Sequence, residues 1–532
     1  FSYEKMRQWV LLFFLGGGTS ELSHFRSWLD SENVKFNGAL IDKVNGASYN
    51  GVVTTRSVKK GETLISIPLQ AVMSVEHALQ SPLSSVMTGE DMDKIGDSLL
   101  FQANLAYLAT LENSRWHPWI KSFPSSFPTS PFTWPSFVLE QFQFSELVAH
   151  ITTRRQEART AYQSLPAKYR AAVSWERHLW AQCVLLSRLY VIQVKDGRGK
   201  WHHPSVLVPA AGMLNTGADR ELNVDCATNE QSTHFNCFAT KDIQQGQQLL
   251  GPYSKQAGNT RLLAGYGFVL QNNPHSTVQV EISVAAAAAA RRAAGDGGSS
   301  GTGKGKGKGK GGQGKGEAAA AAAASVLKKR EEVTKLLKLP LADGRLSLSF
   351  SAGHNLPNQL LSFCRVQSLP QQALLATTAT LSELAQTAFS VMGFGARVEE
   401  AAVAAAAAAV EHTIAAYGSS LKEDLALLFS LQAEIQPGVG SQQEEQERCQ
   451  RGIVHLFLPS FGKDEKRQQY TEVMCRRGGA AVWELVLAVR IEEKQILQRA
   501  QTVLREHAKY VENVLAELEA TAVEDKKIRI EL

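Results

Sequence analysis

PYSKQAGNTRLLAGYGF runs from Pro252 to Phe268 of a 532-residue chain. Two tyrosines, Tyr253 and Tyr266, bracket a polar turn that carries one asparagine, Asn259. A phenol in such a place most often serves packing, its hydroxyl finding a partner at the edge of a core. Two phenols on either side of a turn can also orient a reacting group, and the surrounding sequence decides between these readings.

Three other stretches stand beside this one. NGVVTTRSVKKGE begins at Asn50, LLSRLYVI runs from Leu185 to Ile192, and LVPAAGMLNTG runs from Leu207 to Gly217. A near-repeat frames them: TRSVKKGETLISIP (Thr55–Pro68) parallels TKDIQQGQQLLGPY (Thr240–Tyr253). Each copy predicts a short strand, a glycine turn and a second, alternating strand. Two such hairpins so far apart predict a domain of small strands interrupted between about Met73 and Lys200. Within the interruption Leu99–Leu111 and Trp175–Tyr190 read as buried helices, and Trp116, Trp119, Trp134, Trp175 and Trp180 concentrate there.

The composition, 44% hydrophobic and 20% charged, can supply sizeable cores. No run approaches the ~20 apolar residues of a membrane-spanning helix, and Trp9–Leu15, flanked by Lys5, Arg7 and Gly16, only mimics a signal peptide. The net charge of +5 is local: seven basic and two acidic residues lie between Val284 and Ser325. The remainder is neutral, which excludes a broad basic face for specific nucleic-acid binding. That segment, alanine-rich with alternating Gly-Lys, has no apolar face and is expected to be a disordered insertion. Six cysteines (183, 226, 237, 364, 449 and 475) with no C-x-x-C pair predict neither a disulfide framework nor a cysteine-rich metal site, and no metal is expected. With no Asn-x-Ser/Thr sequon present, this predicts a reducing compartment, the chloroplast stroma or the cytoplasm. Beyond Ser325 the pattern is helical. Leu497, Ala500, Leu504, His507, Val511, Val514 and Leu518 form one apolar stripe, with His507 read as a packed residue, and Ala401–Ala409 reads as helix.

In their order, the quoted stretches resemble the SET-domain methyltransferases, in the branch typified by the Rubisco large-subunit lysine methyltransferase. SSLKEDLALL (Ser419–Leu428) and AVRIEEKQILQRA (Ala488–Ala500) are similar to the helical substrate-binding domain of that branch, so the resemblance runs from about Glu21 to Leu518. It implies an α+β architecture. An N-terminal extension (1–20) precedes a SET domain (21–283) of short twisted sheets with a pseudoknot around the Asn215 segment and a helical insert at about 73–200. The insertion (284–325) and an all-α substrate-binding domain (326–532) follow. It implies S-adenosylmethionine as cofactor, a protein lysine as substrate, and a monomer without nucleic-acid or membrane partners. By the same resemblance Tyr253 is catalytic. Asn50, Gly51, Arg188, Asn215, Thr216 and Tyr266 line the cofactor, while Tyr190, Gly212 and Tyr266 line the substrate channel; Asn259 fixes the turn. Three departures stand out: the family's Asn-His is Asn215-Thr216, its aspartate is Gly212, and its Tyr-Gly is Tyr253-Ser254. They leave a catalytically silent protein-binding module as one alternative. A protein-histidine methyltransferase is the other, since a related branch modifies actin histidine; that branch has asparagine for the aromatic after Ser-Arg-x and loses the tyrosine of Tyr-Gly-Phe, whereas this chain keeps Tyr190 and Tyr266, which the resemblance ties to lysine.

Overall fold

The computed structural model describes residues 19–44, 49–143, 145–281, 313–339, 341–342, 345–348, 357–434 and 479–531. The apolar stretch Trp9–Leu15 and most of the Gly-Lys segment lie outside these residues. The chain divides into two compact units. The first comprises 1–142, 147–273 and 427–489, the second 143–146, 274–426 and 490–532.

Small sheets build the first unit. Its strands are β1 (Lys35–Phe36), β2 (Ala39–Lys43), β3 (Asn50–Thr54), β4 (Thr63–Pro68), β5 (Met73–Ser74), β6 (Leu189–Val191), β7 (Val194–Lys195), β8 (Trp201–His202), β9 (Ser205–Leu207), β10 (Val224–Thr228) and β11 (His234–Ala239). They pair antiparallel as β1-β4-β11-β10, β2-β3, β5-β9-β6 and β7-β8. The alternation in β11 sends Phe235, Cys237 and Ala239 inward, against Leu64, Ile65 and Ile67 of β4, so the period-two pattern fixes the register.

The near-repeat does not form two hairpins. Its two copies join each other: Val58 and Ile243 exchange backbone hydrogen bonds of 2.9 and 3.0 Å, and Lys59 pairs with Asp242. The chain from Gln247 then runs beside β3, where Thr54 N donates to Gln247 O and Leu249 N to Val52 O. A parallel bridge between Asn215 and Leu250 brings together the two segments expected to cross. Cys226 and Cys237 face each other across β10 and β11 and form a disulfide. This corrects the expectation of no disulfide; cysteine spacing carries no sign of which residues a hairpin sets opposite each other.

Between β5 and β6 lies the helical insert. It ends at Arg188, and the residues up to His202 are strands and turns, so the insert is shorter than expected. Helix Asp97–Leu108 is buried on nearly every side, and helix Trp175–Arg188 starts where Ser174 accepts a hydrogen bond from Arg177 N. The insert's aromatic rings form a row with Trp28 of the first helix, Thr19–Ser31. Trp28 stacks on Trp119 at 5.6 Å, Trp119 lies 5.7 Å from Phe123, and Phe123 6.4 Å from Trp180.

The second unit holds β12 (Val278–Glu281), β13 (Leu341–Ala342) and β14 (Arg345–Leu348) in the order β12-β14-β13. It is therefore not wholly helical: the alternation Leu346-Ser347-Leu348 pairs with β12. A helix begins at Gln313, at the alanine-rich end of the low-complexity segment where short alanine helices are expected, because those alanines favour it. Helix Ala396–Ala416 buries Ala402, Ala406 and Val410 in one core with Leu360, Leu361 and Cys364. Against the sequence expectation, Ala396–Leu431 is long and apolar enough to cross a membrane, although half of its most apolar window is buried in the protein. The last helix, Gly479–Glu531, adds Ile496, Leu497, Ala500 and Leu504 to that core. Its stripe ends on buried Leu515, while Leu518 is exposed, the drift expected of a 3.6-residue turn.

His507 is packed, as its place on the stripe predicts. Its Nε2 lies 2.7 Å from Oε1 of Glu399, which also accepts hydrogen bonds of 2.7 and 2.6 Å from Nε and Nη2 of Arg365. Burial alone would raise the Glu399 pKa, but the bonds from Arg365 and His507 outweigh it and hold the carboxyl below its ordinary range. A lowered carboxyl pKa stabilises the folded form above the unfolded pKa, and this contribution disappears as pH falls through the folded one. Glu399→Ala, which strands a fully buried guanidinium, is expected to cost about 3–5 kcal/mol at neutral pH, read as a lower urea midpoint of this unit.

Candidate active site

Four residues, Ala211 to Leu214, separate Ala210 from Asn215, and the site is organised around their carbonyls. Ala210 has φ 61° and ψ −51°, and Ala211 N donates to Pro209 O at 2.6 Å. This is a γ-turn of the rarer, positive-φ kind, a strained geometry for a residue with a Cβ. One 3₁₀ turn follows, Ala211–Met213. The turn closes through Leu214 N on Ala211 O at 3.0 Å, and so short a helix leaves the carbonyls after it to find donors elsewhere. Side chains supply them and add a second donor to Ala211 O. Tyr190 Oη donates to Ala211 O at 2.9 Å, Arg188 Nη1 donates to Gly212 O, and Tyr253 Oη donates to Leu214 O at 2.9 Å.

These donors arrive from separate elements. Arg188 ends the last helix of the insert and Tyr190 lies two residues on, in β6, its ring edge-to-face with Phe235 at 5.6 Å. The rings of Tyr253 and Tyr266 lie 4.7 Å apart, tilted by 31°, and Tyr266 Oη donates to Tyr253 O at 2.9 Å. What separates them is largely a helix, Asn259–Tyr266, rather than the expected turn. It stops at Gly267, which has φ 78° and leaves a Cβ no room beside Thr129. Asn259 does fix the stretch: Nδ2 donates to Leu270 O at 2.7 Å, and Leu270 N donates to Oδ1 at 2.8 Å.

A small cleft opens here, lined by Asn50, Ser122, Ser187, Arg188, Met213, Asn215 and Tyr253. Asn215 Nδ2 donates to Asn50 O at 3.1 Å, and Gly251 N donates to Asn215 O at 2.8 Å. Gly51 makes that approach possible, since a Cβ there would stand 2.6 Å from Val44 and 2.8 Å from both Asn215 Nδ2 and Gln248 Nε2.

Of the residues expected at the site, Asn50, Arg188, Asn215 and Tyr253 line the cleft and Gly51 backs it. Tyr190 and Tyr266 brace its walls through hydrogen bonds to backbone carbonyls. Thr216 is buried beside Asn215 but is not among the lining residues. Gly212 offers its carbonyl to Arg188, and a Cβ there would meet nothing within 4 Å. Sequence reasoning missed Ser122, Ser187 and Met213. Ser187 precedes Arg188 in a stretch already singled out, whereas Ser122 sits in the insert with no motif to mark it.

Burial raises the phenol pKa of Tyr253, Tyr190 and Tyr266, so these hydroxyls stay protonated as donors and do not act as bases near neutral pH. Burial lowers the Arg188 pKa, yet a guanidinium starts so high that it remains a cation. No carboxylate or histidine lines the cleft, and no group of three or more metal-ligating side chains occurs among the described residues. The arrangement can bind a polar, partly anionic molecule and orient a nucleophile through backbone carbonyls and neutral phenols.

A family model, Rubisco LSMT substrate-binding, matches residues 322–497. Among curated proteins, the chain is similar to the actin-histidine N-methyltransferases of Rhinolophus ferrumequinum (22% identical) and Homo sapiens (21% identical). Each match runs over 262 residues, 46% of this chain and 42% of the relative. The chain thus spans less than half the length of the curated relatives it matches. Among solved structures, the SET domain of LSMT bound to lysine and AdoHcy superposes with a TM-score of 0.59 at 14% identity, covering 93% of this chain and 94% of that one. Rubisco LSMT bound to AdoMet gives 0.56 at 15% identity, covering 93% of each. The superpositions cover nearly the whole chain and show its fold: the chain has the SET fold seen in Rubisco LSMT, and residues 322–497 match the Rubisco LSMT substrate-binding model.

Proposed function

We propose that the chain is an S-adenosylmethionine-dependent protein methyltransferase and that its acceptor is a lysine side chain. One observation carries the reading: the Tyr253 hydroxyl, held on Leu214 O, stands in a cleft whose other walls are Arg188, Asn50 and Asn215. A buried guanidinium among amides and serine hydroxyls suits a zwitterionic amino-acid end, which is the donor set S-adenosylmethionine requires. When bound, that cofactor supplies a methyl group activated by a sulfonium.

The chain's own residues supply position and environment. Arg188 would hold the carboxylate, Asn50 and Asn215 the neighbouring polar groups, and Gly51 the close backbone approach. Tyr190, Tyr253 and Tyr266 wall the acceptor side with aromatic surface that excludes water. An amine entering there is desolvated, which lowers its pKa and favours the neutral nucleophile. Its lone pair is oriented by fixed dipoles rather than by a base, which is catalysis by positioning.

A histidine acceptor is the second reading, favoured by the names of the curated relatives. Lysine is supported by Tyr190 and Tyr266, the aromatic positions that the resemblance ties to lysine, both of which stand at the site. Radiolabelled S-adenosylmethionine offered with two otherwise identical peptide pools, one centred on lysine and one on histidine, tests the proposal. Label in methyllysine supports it, and label only in methylhistidine replaces lysine by histidine. Cofactor binding without transfer to either pool would make the chain a binding module.

Tyr253→Phe is expected to leave S-adenosylhomocysteine affinity near the parental value and to lower kcat by about 10²-fold, because the hydroxyl orients the reacting groups. Stopped-time assays and calorimetry on the same preparation check both halves.

Gly51→Ala is expected to displace Asn215 and weaken S-adenosylhomocysteine binding about tenfold or more by calorimetry, given the 2.8 Å separation its Cβ would face.

The pH profile separates the acceptors. With the site's phenols protonated throughout, kcat/KM on a lysine peptide is expected to climb from pH 6 to 9, following an amine whose free pKa is about 10.4. A histidine acceptor would level off above about 7.

A further inference from the structure

The cofactor reading leaves one wall of the cleft unexplained, the one formed by the helical insert. Ser122 is 2% exposed and lines the cleft, and Phe123, the next residue, is 5% exposed. The Arg188 guanidinium carbon lies 5.5 Å from the centroid of the Phe123 ring. Gly212 O accepts from Arg188 Nη1, and Met213 Sδ lies 3.9 Å from the same nitrogen. The ring itself is held. It sits between Trp119 and Trp180, and Trp180 Nε1 donates to Pro124 O at 2.8 Å, which pins the chain immediately after it. Ser122 Oγ donates to Trp119 O at 2.6 Å, so its proton is committed inward and its lone pairs remain to accept.

We propose that the insert reads the amino-acid end of the cofactor: Phe123 is a positioning residue that holds the Arg188 guanidinium toward the carboxylate, and Ser122 accepts from the α-ammonium. This rests on the proposed cofactor and extends the site to residues outside the four motifs. A guanidinium over an aromatic face keeps its in-plane N–H groups free to donate, and the face is attractive to a cation that has lost its water. An aliphatic side chain of similar size would fill the space and leave the guanidinium less well aimed. The adenosine part of the ligand has no part in this arrangement, which separates a positioning role from a general loss of structure.

The test compares S-adenosylhomocysteine with 5′-methylthioadenosine, which lacks the amino-acid end, by calorimetry on the full chain. Phe123→Leu is expected to weaken S-adenosylhomocysteine about tenfold and to leave methylthioadenosine unchanged. Phe123→Tyr is expected to restore the parental value. Ser122→Ala should show the same selectivity with a smaller loss. Equal weakening of both ligands by Phe123→Leu would make the ring purely structural and overturn the proposal, as would unchanged S-adenosylhomocysteine affinity. If the parental chain binds neither ligand, the cofactor reading itself falls.

Discussion

A backbone carbonyl removed from water has to be met by a donor, and that requirement organises this site. The single 3₁₀ turn at Ala211–Met213 closes only on Ala211 O, through Leu214 N; Tyr190 adds a second donor to that carbonyl, and Arg188 and Tyr253 meet those of Gly212 and Leu214. Each comes from a different part of the first unit: the end of the insert, the strand after it, and the segment that runs beside Asn215. The hydrogen bonds that complete the backbone also fix two phenols and a guanidinium around the cleft. Under the proposed function, structural and functional demands fall on the same side chains, and a change at any of the three would loosen the wall as well as the chemistry.

The proposed lysine acceptor is consistent with a cleft whose described lining residues include no carboxylate or imidazole. Such a base would be needed only if a proton had to be pulled off in the transition state. Desolvation would do that work beforehand, since burial penalises a charged amine as it penalises ionisation of the surrounding phenols. The departures at Gly212 and Thr216 are compatible with this scheme. The Gly212 carbonyl is engaged, its missing side chain leaves open space, and Thr216 is a buried neighbour of Asn215 rather than part of the lining.

Local pattern made a good part of this legible. Period-two alternation in the first copy of the near-repeat located β4, the alanine run Ala401–Ala409 located helix Ala396–Ala416, and the motif stretches contained Asn50, Arg188, Asn215 and Tyr253. Pairings between distant segments were not legible. Nothing in the two copies of the near-repeat says that they bond to each other, and nothing in Cys226 or Cys237 says that β10 and β11 set them opposite. Ser122 and Phe123 were hidden for the same reason. Their contribution depends on where the insert folds back, and side-chain identity alone does not encode that position.

The joined near-repeat bears on how the chain is made. Ser66 of β4 meets Asn236 of β11 across 170 residues, and Thr54 meets Gln247 across 193. At a synthesis rate of roughly 5–20 residues per second, the first strands leave the ribosome on the order of ten to forty seconds before these partners exist. Throughout that interval β3 and β4, paired on one edge with β2 and β1, present their other edge and Leu64, Ile65 and Ile67 to their surroundings, the exposure that favours wrong pairing. High contact order also makes the closing step slow once the partners emerge. The helical insert, with its local contacts, is complete by then, and its ordered body rather than a loose loop is what separates the two halves of the sheet when they meet.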